Sequence, residues 1–371
     1  CDGFTASELK RNLMEKNALI ALHYGDATNL INSLVFGYSL SRVGSRADRI
    51  LLIVEGTDPI HRDVLAPFFD RVITVRAIEI PEGAVKETTP IRLQGAFNKL
   101  WAFTLTEYDN IVLIDTDTLI NRNFDEIFSF PAPAVFVCDN KYAWTDGMRV
   151  AEDDMRPQLG KTLGYINSGV TLFRPSDELC RTVFEAFRES TPPPAGYRYA
   201  DQCFLAQLFL GQWYSLSGLY NFSAKFYSLD RYFGYGRKPI TVPIDDIAVF
   251  HFYGDLKPLD YLRHRHSVWK RDKPLRASQV ELLRRLESDA PLPDFSEARS
   301  ATDHYLALFN FWFQTFHAAK GSLPPNLHRY VDKAATTCTV IEKCESVLQK
   351  RDNVCSEDNH PRRNRFRPRA R

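Results

Sequence analysis

The 371-residue sequence has no stretch of about twenty consecutive apolar residues, the length a helix needs to cross a bilayer. No membrane span is therefore expected in this chain. It also lacks any large excess of charge: a net +1 leaves no general attraction to nucleic acid or a membrane surface, so neither is expected as a partner of its body. Only the end is lopsided. Seven arginines against Asp352, Glu357 and Asp358 put residues 351–371 at +4 and the remainder at −3, the pattern of a solvated tail, with a polyanion contact as the other reading. Cysteine is sparse, seven in all, and no pair has the spacing of a zinc site. Cys338, Cys344 and Cys355 crowd the last fifth of the chain and Cys1 opens it. Such clustering fits disulfides in an oxidising lumen, so a secretory-pathway, Golgi or secreted location is expected, with reduced thiols in the cytoplasm as the alternative. A first residue that is Cys rather than Met reads as a processed or trimmed chain. No internal repeat is visible.

What is present is a large globular composition, 44% hydrophobic, enough for one α/β domain with a substantial core. Short β-rich runs recur: "ALIAL" (18–22), "RILLIVEG" (49–56), "RVITV" (71–75), "NIVLID" (110–115), "AVFVCD" (134–139), "GVTLFR" (169–174) and "IAVFHF" (247–252). Most are continuously apolar, as strands covered on both faces should be. Helical spacing of Leu179, Val183, Phe184 and Phe187 predicts a helix over 178–190 between them. The alternation predicts an α/β domain over 16–275 with a mostly parallel central sheet and helices on both faces, preceded by a lead segment 1–15. "STPPPAGYRYA" is a proline-rich loop and "DAPLPDFSEA" a linker. A C-terminal helical extension is expected over 276–330, and a cysteine-containing basic tail over 331–371. Within the extension, "TDHYLALFNFWFQTFHAAKG" is apolar nearly all round, so it either packs on the main domain or exposes an aromatic patch.

The run "NIVLIDTDTLI" ends in Asp115 and Asp117. Residues i and i+2 of a strand share a face, so the two carboxylates can converge at the strand's end, where adjacent like charges call for a divalent cation. A polar turn is the plainer reading. "AVFHFYGDLKPLDY" brings His251 to the end of another apolar run, with Gly254 and Lys257 beyond it; carboxylates plus one imidazole suit Mn²⁺ better than Ca²⁺, and a glycine with a lysine suits a phosphate. In "YINSGVTLFRPS", Asn167, Ser168 and Gly169 precede a strand as a tight turn would. In "YADQCFLAQLF", Asp201 and Gln202 stand where a helix begins, and Asp201 alone would pass for an N-cap.

Together "LIDTDTLI", "INSGV", "ADQ" and "HFYGDLKP", in this order and at these separations, resemble the retaining glycosyltransferases of the glycogenin and galactosyltransferase type, family 8, over residues 16–262. The resemblance implies a GT-A (Rossmann-like) fold and transfer of a hexosyl or related group from a UDP-sugar to an acceptor hydroxyl, dependent on Mn²⁺ (or Mg²⁺). By the match, Asp115, Asp117 and His251 hold the metal, Thr116 lies between them in the donor site, and Gly254 and Lys257 meet the phosphates. Leu22, His23, Tyr24 and Gly25 correspond to the uracil-binding strand and loop, although His23 also reads as an ordinary polar residue at a strand end. Arg92 is implied near the phosphate or sugar. Asn167, Ser168 and Gly169 border the donor hexose. Lys99, in "AFNKLWAFTL", with Asp201 and Gln202 forms the group facing the reacting sugar; no nucleophile is implied. Asn221 matches an asparagine of the acceptor region, and Asn221-Phe222-Ser223 is also an N-glycosylation sequon. The acceptor (saccharide, lipid or protein) is not readable, and a homodimer stays open. Leu259 stands where many relatives have tryptophan, and Tyr227, Tyr232 and Tyr235 miss the spacing of a self-glucosylated tyrosine. Two other classes compete. Asp115-Thr116-Asp117-Thr118 fits a haloacid-dehalogenase-like phosphatase with Asp115 as nucleophile, and a non-catalytic nucleotide-sugar-binding protein would keep the same fold.

Overall fold

Apolar runs without alternation become strands with a covered face on each side. The computed structural model describes residues 15–25, 27–85, 91–139, 141–159, 165–189, 197, 199–223, 242–253, 258, 285, 292–298 and 301–336. Its main sheet contains β1 (Asn17–His23), β2 (Asp48–Val54), β3 (Arg71–Val75), β4 (Asn110–Ile114), β6 (Ala134–Val137), β7 (Ile166–Phe173) and β8 (Tyr214–Leu216). The seven strands run in the order β3-β2-β1-β4-β7-β6-β8. All neighbours are parallel except β7, which runs antiparallel to both β4 and β6. The expected α/β class is observed. A correction concerns "IAVFHF": it forms β10 (Val249–His251) of a separate three-stranded sheet with β5 (Thr118–Ile120) and β9 (Phe222–Ser223).

Parity along β1 shows why the strands are apolar throughout. Leu19 and Ala21 face a core shared with α1 (Ala27–Arg42) and α2 (Pro59–Leu65), whereas Ala18, Ile20 and Leu22 face the opposite core, lined by the 3₁₀ helix Gly95–Thr104, α3 (Asp177–Arg188) and α4 (Asp201–Leu208). The predicted helix over 178–190 is α3, started by Ser176, whose side chain accepts from Leu179 N.

The aromatic segment packs. In α5 (Ala301–Gly321), Leu306, Leu308, Phe309, Trp312 and Phe316 are buried against α1, each contributing about 1.5–3 kcal/mol of burial. Its other flank is closed by residues 292–298, where Phe295 meets Phe311 edge-on at 6.2 Å and Asn310 Nδ2 donates to Leu292 O at 3.2 Å. A helix wrapped on two sides has no need of a polar face. The next helix, α6 (Pro325–Thr336), also packs on α1 and continues past residue 330. No helix of the described residues is long and apolar enough to cross a membrane. The cysteines Cys1, Cys338, Cys344 and Cys355, the tyrosines Tyr227, Tyr232 and Tyr235, Leu259 and most of the tail lie outside the described residues.

The same parity places His23 on the α1/α2 face. Its Nδ1 lies 2.8 Å from Ser33 Oγ and its Nε2 2.9 Å from His61 Nδ1, with the ring fully buried. Burial, then His61, pushes its pKa down to about 3. The unfolded chain takes up this proton near pH 6.5, so the stability tied to His23 is intact above that pH and lost as pH falls towards 3, by up to about 1.4 kcal/mol per pH unit. Replacing His23 by Asn is expected to flatten the urea midpoint against pH below about pH 6.5. An unchanged slope would assign the acid sensitivity to another group.

Candidate active site

β4 stops at Ile114 and β5 starts at Thr118, so Asp115, Thr116 and Asp117 form the turn that carries the chain from one sheet to the other. The carboxylates therefore converge through a turn between sheets rather than through the pleat of one strand, which corrects the sequence argument. Thr118 Oγ1 donates to Asp115 O at 2.7 Å, and Asp115 N donates to Gly169 O at 2.9 Å. Antiparallel pairing of β10 with β5 sets His251 opposite Thr118, one residue past the turn. His251 Nε2 ends 3.0 Å from Asp117 Oδ1 and 3.9 Å from Asp115 Oδ2. One ligand atom from each of the three residues falls within 4.8 Å of the others, the donor set expected of a small divalent cation.

Two further observations fit a cation there. A Cβ on Gly169 would lie 2.2 Å from His251 Cε1 and 2.5 Å from its Nδ1, so only glycine leaves room for the ring at this position. The charge also closes. Lys99 Nζ sits 2.6 Å from Asp115 Oδ1 and 2.9 Å from Asp201 Oδ2, so among the described residues three carboxylates face one ammonium and, counting the imidazole as neutral, the group carries −2. A divalent ion brings that to zero.

Lys99 is the hinge between the two halves. Burial alone would push its ammonium down, but Asp115 and Asp201 hold it well above the usual lysine range, so it stays charged. Burial likewise pushes the Asp201 carboxyl up, against the pull of Lys99 and of Ser168, whose Oγ donates to Asp201 Oδ2 at 3.2 Å. Asp201 is the first residue of α4, and the cap position belongs to Ala200 at φ 46°, ψ −123°, a strained conformation for a residue with a Cβ. The aspartate is thus turned into the site instead of capping its helix. Gln202 Oε1 accepts from Ser168 N at 3.3 Å.

The remaining predicted residues divide into those at the cluster and those away from it. The Tyr24 ring lies against Gly95, where a Cβ would come within 2.3 Å of it, and burial raises its phenol with Lys99 opposing and Asp115, Asp201 and Asp117 assisting. Tyr24 therefore belongs to the cluster. Gly25 has φ 85°, and Asn29 Nδ2 donates to Tyr24 O at 2.5 Å to close the loop. Thr116 is half-buried in the turn. The Leu22 side chain is core. His23 is corrected: its ring is committed to Ser33 and His61 on the far face of β1 and offers nothing to a donor. Asn221 is corrected as well. It is 1% exposed and bonded to His251 and Asn167, so its side chain reaches no acceptor and, in the folded chain, no oligosaccharyl group. Arg92 lies on the helical turn Ile91–Gln94, its side chain outside the described residues, as are Gly254 and Lys257.

Sequence reasoning missed Gly95 and the supporting duty of Gly169. A glycine four residues before Lys99 inside a helical pattern was the available signal for the first.

The chain matches the family model described as Glycosyl transferase family 8 over residues 40–262, more than half its length. It is 24% identical over 318 residues to uncharacterized protein R707 of Acanthamoeba polyphaga mimivirus, covering 84% of this chain and 98% of that one. With Glycogenin-2 of Homo sapiens it shares 27% identity over 242 residues, covering 63% of this chain but only 42% of that relative. Among solved structures, galactosyltransferase LgtC in complex with donor and acceptor sugar analogues is similar at 17% identity and a TM-score of 0.44, over 74% of this chain and 97% of that one.

Proposed function

Since the chain belongs to glycosyl transferase family 8 and is a retaining glycosyltransferase, we propose that it moves a hexosyl or related group from a UDP-sugar to an acceptor hydroxyl with a divalent metal at Asp115, Asp117 and His251. The phosphatase alternative is overturned by the family match; against the non-catalytic one stands the grouping of Asp115, Asp117 and His251 in one place. The observation that carries the proposal is the −2 cluster at the junction of two sheets, with Lys99 joining its metal-side and sugar-side carboxylates.

In the reaction the bond from the anomeric carbon to the diphosphate oxygen breaks, and the acceptor oxygen bonds that carbon from the same face. The acceptor's proton leaves with a diphosphate oxygen. Mn²⁺ or Mg²⁺, when bound, supplies Lewis-acid neutralisation of the charge that builds on the leaving diphosphate. The protein's own groups do the rest. Lys99 and Ser168 hold Oδ2 of Asp201, fixing a carboxylate that offsets positive charge at the anomeric centre as the bond to phosphate lengthens. With that oxygen held by two donors, Asp201 is assigned positioning and electrostatics, not nucleophilic attack. Tyr24, neutral and packed on Gly95, offers an apolar surface with a hydroxyl beside the same cluster. For the location we keep the lumenal reading of the terminal cysteines as a proposal.

The test is a screen of UDP-sugars, each with Mn²⁺ or with chelator, read by UDP release and by melting temperature. One sugar is expected to release UDP only with metal and to raise the melting point by mass action. Metal-independent turnover, or hydrolysis of phosphate monoesters in place of UDP release, would overturn the assignment.

A further inference from the structure

Resting on the reading of Asp115, Asp117 and His251 as a metal site, we infer that Asn221 is a positioning residue: it fixes the tautomer and plane of His251, and Asn167 in turn fixes Asn221.

Donors and acceptors from Gly169 to His251 fit together in one consistent arrangement. Gly169 N–H donates to Asn167 Oδ1 at 2.9 Å, so that atom is the oxygen of the Asn167 amide. Asn221 approaches Asn167 O at 3.1 Å and Asn167 Oδ1 at 3.0 Å with the same atom; two acceptors require a donor, so that atom is Nδ2. The other end of the Asn221 amide, Oδ1, is then an acceptor, and it lies 2.8 Å from His251 Nδ1. Nδ1 must carry a proton. In the neutral ring, Nε2 is left bare, 3.0 Å from Asp117 Oδ1, where two lone pairs repel unless a cation lies between them.

The alternative tautomer would be the comfortable one without Asn221. A proton on Nε2 would bond Asp117 directly and occupy the position needed for a ligand atom. Asn221 works against this by demanding the proton on the far side of the ring. Its own burial, 1% exposed, suits a supporting group and excludes contact with a substrate. The backbone delivers it: Asn221 immediately precedes β9, which pairs parallel to β10 with Ser223 opposite His251. Gly169 enters twice, through its N–H to Asn167 and through the missing Cβ that makes room for the imidazole. The "INSG" segment thus supports the histidine from behind as well as bordering the sugar.

The experiment uses the full chain, metal-free and with ¹⁵N-labelled histidine, and then Mn²⁺ binding followed by the electron paramagnetic resonance of the free ion. A long-range ¹H–¹⁵N correlation of the neutral His251 ring is expected to show a protonated Nδ1 and a bare Nε2. A protonated Nε2 would overturn the inference. Asn221→Leu is expected to bind Mn²⁺ about 10- to 100-fold more weakly. Asn221→Asp keeps an acceptor for Nδ1–H while losing the donor to Asn167, and is expected to bind more tightly than the leucine variant. Wild-type Mn²⁺ affinity in a folded Asn221→Leu protein would overturn the positioning role. Failure of the wild type to bind Mn²⁺ would instead sink the metal reading beneath it. Should the leucine variant fail to fold, the tautomer of the wild type still decides.

Discussion

Asp117→Ala is expected to lower sugar transfer by about a thousandfold or more, because the site loses one of three ligands and half of its net negative charge just where a leaving diphosphate must be neutralised. The substitution is informative because it is clean. The Asp117 side chain is 21% exposed, and the Lys99 bridge goes to Asp115 and Asp201 instead. Removing it leaves the Lys99 bridge in place, and stability should move by about 1 kcal/mol. Turnover with saturating donor and Mn²⁺, beside a melting curve, reads both quantities. Activity within tenfold of wild type would take Asp117 out of the metal site. Asp115→Ala would be a poorer probe, since it also takes a partner from a buried ammonium.

Lys99→Met should have the largest effect on the fold. Methionine matches the length of the lysine stem, so packing is nearly kept while Asp201 loses the one cation beside it among the described residues, in a buried setting. Breaking such a pair from one side costs about 3–5 kcal/mol, a large share of the stability of an ordinary domain. Adding Asp201→Asn removes the stranded charge, so the double variant should recover much of the melting temperature and none of the activity. That split separates the two duties of the bridge, holding the domain together and aligning the carboxylates. If the single variant melts like the wild type, the contacts of Lys99 at 2.6 and 2.9 Å carry no stability; a double variant that transfers sugar would remove Asp201 from the reaction.

Much of the architecture was legible because local chemistry decides it. Apolar runs such as "RILLIVEG" read as strands covered on both sides, and Leu179, Val183, Phe184 and Phe187 recur at the spacing of one helix face. The two aspartates and His251 were legible for a related reason: charge at the end of an apolar run must be answered by something. The failures all lie at longer range. Nothing near "IAVFHF" tells that it pairs with Thr118–Ile120 rather than joining the main sheet, since pairing partners are not encoded in period or propensity. His23 could be sorted from Tyr24 only by parity, once the faces of β1 had been assigned to their helices. Asn221 looked like a substrate contact in the linear chain, and its burial behind His251 depends on a two-residue strand that no pattern would flag. Asp201 was placed in the site by the resemblance alone, since its own segment reads as an N-cap; the cap is in fact taken by an alanine in a conformation that sequence rules assign to glycine.

The reversed strand has a further consequence, one of tolerance to change. Parallel strands hand their ends to the ligand edge of a sheet, but β7 hands over its beginning, and Gly169 is riveted there to the Asp115 backbone. Whatever length or composition the chain takes before Tyr165, the register of Asn167, Ser168 and Gly169 against the aspartates is set downstream of it, by the β4–β7 ladder. Sequence change before Tyr165 therefore leaves the β4–β7 ladder beside the aspartates in register. Libraries built upstream of Tyr165 should leave the placing of Asn167, Ser168 and Gly169 against the aspartates unchanged.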